Sequence, residues 1–175
     1  MTAECAIDAS EGPVLKVLLI GFGNPAREDD GLGPAAAEAI EAHALAGITV
    51  DADYQLTVED AAAVAEHDVV VFVDAAAEGR EPFYFKKLTP RRQESFSSHS
   101  VAPEALLGLA IDLFNADTEA FLLGIRGYSF AMFREEMTGK ARDNLREALA
   151  FLVPVLKDRC FQQAAEQIEN NKLLI

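Results

Sequence analysis

The chain has 175 residues, half of them hydrophobic, and a formal net charge of -14 at pH 7. This length and composition predict one globular domain with a sizeable core, and the acidic balance disfavours partners such as nucleic acid or an anionic membrane surface. The two cysteines, Cys5 and Cys160, stand near opposite ends of the chain, so neither a disulfide framework nor a cysteine-based metal site is expected.

Residues 1–13 are predicted to be an N-terminal extension of the domain. They carry no basic head of the kind that opens a signal peptide. No apolar run in the sequence is long enough to span a bilayer. We therefore expect a soluble cytoplasmic protein.

From residue 14 onwards, predicted strands and helices alternate. Hydrophobic periodicity predicts strands over 14–20, 48–54, 69–73, 83–88 and 119–125. Helical patterns cover 33–46, 57–66, 103–115 and 138–157. The order predicts an α/β fold: a three-layer α/β/α sandwich around a mostly parallel, five-stranded twisted sheet.

Details of composition refine this outline. The run 69–73 is continuous and β-branched, which is typical of a central strand covered on both faces, whereas 83–88 is more polar and is predicted nearer an edge. Thr57 is a candidate N-cap for the second helix, with Asp60 three positions later. The domain is predicted to cover 14–157 and to be followed by a C-terminal tail, 158–175, with a weak helical pattern.

The glycine-rich turn after the first strand has two competing interpretations. Residues 21–26 contain the spacing Gly-x-Gly-x-x-Ala, which fits a loose dinucleotide-binding loop. The acidic run 28–30 follows at once, and two unit charges ~4 Å apart repel by roughly 4 kcal/mol at an effective dielectric near 20. A diphosphate would meet three such charges, so a cation site is favoured and a dinucleotide-binding domain is the weaker alternative.

Three side chains are candidate metal ligands. Asp30 lies in the acidic run, Asp74 directly follows the apolar run 69–73, and His99 lies in a serine-rich loop before a predicted helix. The two aspartates stand where open α/β sheets place their sites. If they converge, each raises the pKa of the other unless a cation is present. Mixed oxygen and nitrogen ligands suit nickel or zinc, and composition does not choose between them.

Three segments of the chain resemble the NiFe-hydrogenase maturation endopeptidases, and the resemblance extends from residue 15 to about residue 157. The segments are Gly21-Phe-Gly-Asn-Pro-Ala-Arg-Glu-Asp-Asp-Gly-Leu-Gly33, Val71-Phe-Val-Asp-Ala75 and Ser98-His-Ser-Val-Ala-Pro-Glu-Ala-Leu106. The resemblance implies an α/β/α sandwich and a cytoplasmic protease. Its substrate would be the precursor of a hydrogenase large subunit, from which it removes a C-terminal extension after nickel insertion.

The resemblance also implies roles for individual residues. Asp30, Asp74 and His99 would be both the catalytic residues and the metal ligands, and would sense nickel held by the precursor rather than keep it as a cofactor. Zinc or another divalent ion is an alternative. A metal there would polarise the scissile carbonyl or activate a water, whose pKa falls from roughly 16 to about 7 on metal binding. Glu28 or Asp29 is a candidate to orient that water.

Some questions stay open at the level of sequence. The family commonly has glycine where this chain has Glu28. A monomer is compatible with an enzyme that must embrace a large substrate. A nickel-sensing accessory protein that binds the precursor without cutting it would use the same three ligands.

Overall fold

The computed structural model describes residues 14–92 and 101–170. Within these ranges five strands and five helices follow in the order β1 (Val17–Phe22), α1 (Leu32–Ala42), β2 (Ile48–Asp53), α2 (Asp60–Ala65), β3 (Val69–Ala76), β4 (Phe83–Lys87), α3 (Pro103–Phe114), β5 (Glu119–Arg126), α4 (Gly139–Asp158) and α5 (Phe161–Asn170). A short 3₁₀ turn, Glu28–Gly31, leads into α1. The predicted extension 1–13 and the predicted ligand His99 lie outside the described residues.

The five strands form one sheet in the order β2-β1-β3-β5-β4. Strands β2, β1, β3 and β5 are parallel to one another, and β4 pairs antiparallel with β5 at the edge of the sheet. The predictions of a mostly parallel sheet, a central β3 and an outer β4 are therefore confirmed. Because β4 runs the opposite way, its first residues lie beside the carboxyl end of β5.

Alternate residues of each strand face opposite layers of helices. On β3, Val69, Val71 and Val73 pack into a core with α1, α4 and α5, whereas Val70 and Phe72 pack into a second core with α2 and α3. All five are buried, and burying one such side chain is worth about 1.5–3 kcal/mol. The two cores confirm the predicted three-layer sandwich.

Helix α2 begins three residues later than predicted. The carboxylate of Asp60 accepts hydrogen bonds from the backbone N–H of Thr57 (2.7 Å) and from its hydroxyl (3.2 Å). Thr57 is therefore a donor to the first residue of the helix, and the prediction that Thr57 caps α2 is wrong.

The core continues beyond residue 157. Helix α4 runs through Pro154 without ending, and α5 follows it after a short break. The rings of Phe121 on β5 and Phe161 on α5 have centroids 5.6 Å apart, and Phe161 is 3 % exposed. No helix in the described part of the chain is long and apolar enough to cross a membrane.

Candidate functional site

Asp30 and Asp74 lie close together at the carboxyl edge of the sheet. Strands β1 and β3 are neighbours, with Gly21 paired to Val73. Asp74 is the next residue on β3, and Asp30 belongs to the 3₁₀ turn that follows β1. The charge of Asp30 acts on the ionisation of Asp74. The structure thus brings together the two carboxylates that the sequence placed at neighbouring strand ends.

The Asp74 carboxyl is poorly solvated. Burial raises its pKa from 3.8 to about 7, and the negative charge of Asp30 acts in the same direction. The backbone N–H of Ala75 donates to Oδ1 at 2.7 Å and opposes part of this rise. A cation between Asp30 and Asp74 would favour the ionised form of both carboxylates.

The Asp30 carboxylate is only half engaged by the protein. Its Oδ2 accepts a hydrogen bond from the backbone N–H of Asn24 at 3.1 Å and lies 3.8 Å from Nη1 of Arg27. Within the described residues its Oδ1 accepts no hydrogen bond. The turn itself is held by Asn24, whose Oδ1 accepts from the N–H of Ala26 at 2.9 Å.

Asp29, in contrast, is committed to the loop formed by residues 127–138. Its Oδ2 accepts from the N–H groups of Tyr128 (2.7 Å) and Ser129 (3.0 Å), and from the hydroxyl of Thr138 (2.9 Å). Its Oδ1 accepts from the N–H of Thr138 at 2.7 Å. Burial acts to raise the pKa of Asp29, but these hydrogen bonds outweigh it and hold the pKa below its usual value.

Glu28 also holds the 127–138 loop. Its Oε2 accepts from the hydroxyl of Ser129 and from the N–H of Ala131, and its Oε1 lies 3.6 Å from Nη1 of Arg134. Its φ angle is +50°, a conformation that favours glycine. Neither Glu28 nor Asp29 is therefore placed to orient a water at the Asp30–Asp74 pair. Their carboxylates tie the acidic turn to a loop about 100 residues away.

Tyr84 lies on the same row of the sheet as Asp74. Asp74 pairs with Gly124 on β5, and Gly124 pairs with Tyr84 on β4. A Cβ atom at position 124 would lie 2.1 Å from Cζ of Tyr84 and 2.5 Å from its hydroxyl oxygen, so the ring covers Gly124. Sequence reasoning missed Tyr84, and a glycine inside the apolar strand β5 was the one available signal.

The phenol of Tyr84 is a hydrogen-bond donor at neutral pH. Burial raises its pKa above 10.0, and the negative charges of Asp74 and of Glu104 on α3 add to the rise. Tyr84 is thus within electrostatic range of one carboxylate at the end of β3 and of another at the start of α3. Tyr84 is therefore a third polar group at the edge occupied by Asp30 and Asp74.

The predicted third ligand, His99, belongs to the connection between β4 and α3. Among the residues that the structure describes, no group of three His, Cys, Asp or Glu side chains could hold a metal ion. The other two histidines lie at the end of the sheet where the parallel strands begin, away from the carboxyl edge. His67 precedes β3 and contacts the carbonyl of Ala63 at 2.7 Å, and His43 ends α1. Of the three histidines, these two are excluded as partners of Asp30 and Asp74.

No protein-family model matches the sequence, and a comparison with curated proteins finds no significant match. Solved structures with the same fold do exist. The hydrogenase maturation protease HycI from Thermococcus kodakarensis KOD1 superposes with a TM-score of 0.64, at 21% identity over 82% of this chain and 93% of that chain. The maturating endopeptidase HybD from Escherichia coli gives 0.60, at 18% identity over 83% and 94%.

A third structure, the endopeptidase HycI from Escherichia coli, gives a TM-score of 0.59 at 21% identity, over 81% of this chain and 91% of that chain. The described chain therefore has the fold of this group of proteins over nearly their whole length. At this level of identity the likeness establishes the fold alone.

Proposed function

We propose that this protein is a cytoplasmic member of the hydrogenase maturation endopeptidases and removes the C-terminal extension of a NiFe-hydrogenase large-subunit precursor after nickel insertion. The observation that carries the proposal is the Asp30–Asp74 pair at the carboxyl edge, in a fold shared with such proteases. The three motif segments of the sequence support the same assignment, because they contain Asp30, Asp74 and His99.

The pair fits a divalent metal. The charge of Asp30 disfavours the ionised form of Asp74, and Asp30 keeps one oxygen without a hydrogen bond among the described residues. With His99 they would supply two oxygen ligands and one nitrogen ligand, a set that suits nickel or zinc. We assign the metal to the precursor, so that nickel is part of the substrate. A bound divalent ion would polarise the carbonyl of the scissile peptide.

The reaction is hydrolysis of one peptide bond. The oxygen of a water molecule adds to the scissile carbonyl carbon, and the C–N bond then breaks. At neutral pH the new carboxylate keeps the water oxygen, and both water protons end on the new amino group. Asp30 and Asp74 orient the metal-bearing end of the substrate, while the 127–138 loop stays fixed to the acidic turn.

Incubation of nickel-loaded precursor with the purified protein tests the proposal. Mass spectrometry should show loss of the C-terminal peptide from the precursor with the wild-type protein. Little or no loss is expected with Asp30→Asn, Asp74→Asn or His99→Ala. Asp158→Asn, at the last residue of α4, and His43→Ala, at the end of α1, serve as matched controls, because both side chains are exposed and lie at the other end of the sheet from the carboxyl edge.

The alternatives give different outcomes in the same experiments. A precursor that binds the protein but keeps its mass would identify a nickel-sensing accessory protein that does not cleave. Processing at wild-type rates by all three site variants would show that the site is wrongly assigned. Calorimetric titration with NAD is expected to give no heat, and saturable heat would support the dinucleotide-binding domain.

A further inference from the structure

We infer that Tyr84 is a catalytic residue whose hydroxyl donates a hydrogen bond to the scissile carbonyl oxygen as negative charge develops there. The inference rests on the proposed function and deepens it. It follows from the position of the side chain, the way its ring is fixed, and the state of its hydroxyl group.

Tyr84 and Asp74 share one face of the sheet. Phe83 and Phe85 pack toward α1, α4 and α5, so Tyr84, between them, packs on the opposite face. Asp74 follows Val73, which also packs toward α1, and therefore shares the face of Tyr84. Two strand spacings separate β3 from β4, about 10 Å in all, and the tyrosine ring extends from β4 over Gly124 on the intervening strand, β5.

Gly124 makes this arrangement possible. Any side chain at position 124 would collide with the ring, since its Cβ would lie 2.1 Å from Cζ of Tyr84. A Cβ at Gly79 would lie 3.9 Å from Cδ1 of the same ring, which is ordinary contact. The ring is thus packed against the backbone of Gly124, and a donor held in place before the reaction requires little reorganisation during it.

The hydroxyl of Tyr84 makes no hydrogen bond within residues 14–92 and 101–170. The hydroxyl of Tyr128, by comparison, accepts one from Nδ2 of Asn144 at 3.0 Å. Tyr84 therefore presents a hydroxyl that no other described residue binds, within electrostatic range of the Asp74 carboxylate. An oxyanion donor must have such a hydroxyl available to the substrate.

The test compares Tyr84→Phe with Tyr128→Phe in the precursor-processing reaction. Loss of one oxyanion donor typically lowers kcat by about 100- to 1000-fold. We expect a fall of about 100-fold for Tyr84→Phe, with KM within about twofold and an unchanged melting temperature, because the ring and its packing remain. Tyr128→Phe should retain wild-type kcat.

Each other outcome overturns the inference in a recognisable way. Wild-type kcat in Tyr84→Phe refutes it and leaves the proposed function standing. A rise in KM at unchanged kcat would assign the hydroxyl to substrate binding instead. A lowered melting temperature that accounts for the lost activity would assign Tyr84 to packing. No processing by the wild-type protein would reject the proposed function itself, and this inference with it.

Gly124→Ala provides a second measurement. The added methyl group displaces the Tyr84 ring, so kcat should fall as it does in Tyr84→Phe. The double variant should then show little further loss, because both changes remove one interaction. Additive losses in a folded double variant would contradict the inference.

Discussion

The Glu28–Asp29 pair and the Asp30–Asp74 pair differ in how the protein satisfies their carboxylates. Glu28 and Asp29 are buried and point into the 127–138 loop, where backbone N–H groups and hydroxyls satisfy their oxygens. Asp30 and Asp74 face the carboxyl edge of the sheet, and the pKa of Asp74 rises to about 7. The hydrogen-bond donors around each carboxylate, more than its place in the sequence, distinguish the two pairs.

The difference can be expressed in energies. A buried carboxylate with a full set of donors stabilises the folded state in its ionised form. A buried carboxylate beside a like charge destabilises the folded state unless a cation arrives. The Asp30–Asp74 pair therefore destabilises the folded state to an extent that cation binding would reduce. The Glu28–Asp29 pair does not.

The largest expected effect is that of Asp74→Asn. Under the proposed function, loss of this carboxylate should lower the rate of precursor cleavage by about a thousandfold or more. The same variant should be more stable than wild type at pH 8, by about 2–4 kcal/mol, since asparagine has no charge to bury. Single-turnover cleavage and urea unfolding check the two parts. A variant that is both inactive and less stable would contradict the comparison.

Asp29→Asn should have the opposite effect on stability. An amide group cannot accept from all the donors that surround Asp29, so at least one buried N–H loses its partner. We expect the free energy of unfolding to fall by about 3 kcal/mol. Urea unfolding measures the loss, with Asp143→Asn on the exposed face of α4 as the control. A loss below about 0.5 kcal/mol would show that these hydrogen bonds contribute little.

The two pairs should also differ in pH dependence. Asp74 binds its proton more tightly in the folded than in the unfolded protein. Its contribution to the free energy of unfolding therefore falls as pH rises from about 4 to about 7, by up to about 1.4 kcal/mol per pH unit. Asp29 has a lowered pKa, and its contribution is lost only as pH falls through that value. Unfolding curves of wild type and Asp74→Asn between pH 4 and 8 should converge at the acid end. Parallel curves would contradict the raised pKa.

The smallest expected effect concerns the backbone of Glu28. A left-handed conformation costs a non-glycine residue about 1–2 kcal/mol, and the contacts to Ser129, Ala131 and Arg134 offset it. Glu28→Gly removes both the strain and the contacts, so stability should change by less than about 1 kcal/mol. Glu28→Ala keeps the strain and should be about 1 kcal/mol less stable than Glu28→Gly. Equal stabilities in thermal unfolding would show that the φ angle carries no cost.

Much of the fold could be predicted from the sequence, because burial imposes regular patterns on it. The continuous apolar run 69–73 marked the central strand, and the more polar run 83–88 marked a strand nearer the edge. The rule that sites lie at the carboxyl ends of parallel strands then placed Asp30 beside Asp74. The start of α2 was misplaced because both threonine and aspartate are common N-cap residues, and only the geometry shows that Asp60 accepts from Thr57 at the first residue of the helix.

The remaining features depend on contacts that no local pattern contains. Glu28 and Asp29 read as further site acids because their partners, from Tyr128 to Thr138, lie about 100 residues away. Tyr84 was missed because its relation to Asp74 depends on the register of three strands. His99 was singled out in the sequence as the third ligand, and that role stays a prediction.

The hydrogen bonds between Asp29 and the 127–138 loop have a consequence for changing the sequence of that loop. Three of its four hydrogen bonds come from backbone N–H groups, which every residue except proline supplies. The exposed side chains of Met132 and Phe133 are not among the groups that hold the loop. We expect the loop to tolerate substitutions at these two positions, provided that Ser129, Arg134 and Thr138 keep their bonds to Glu28 and Asp29. The exposed surface of the loop can then change while the anchoring carboxylate stays constant.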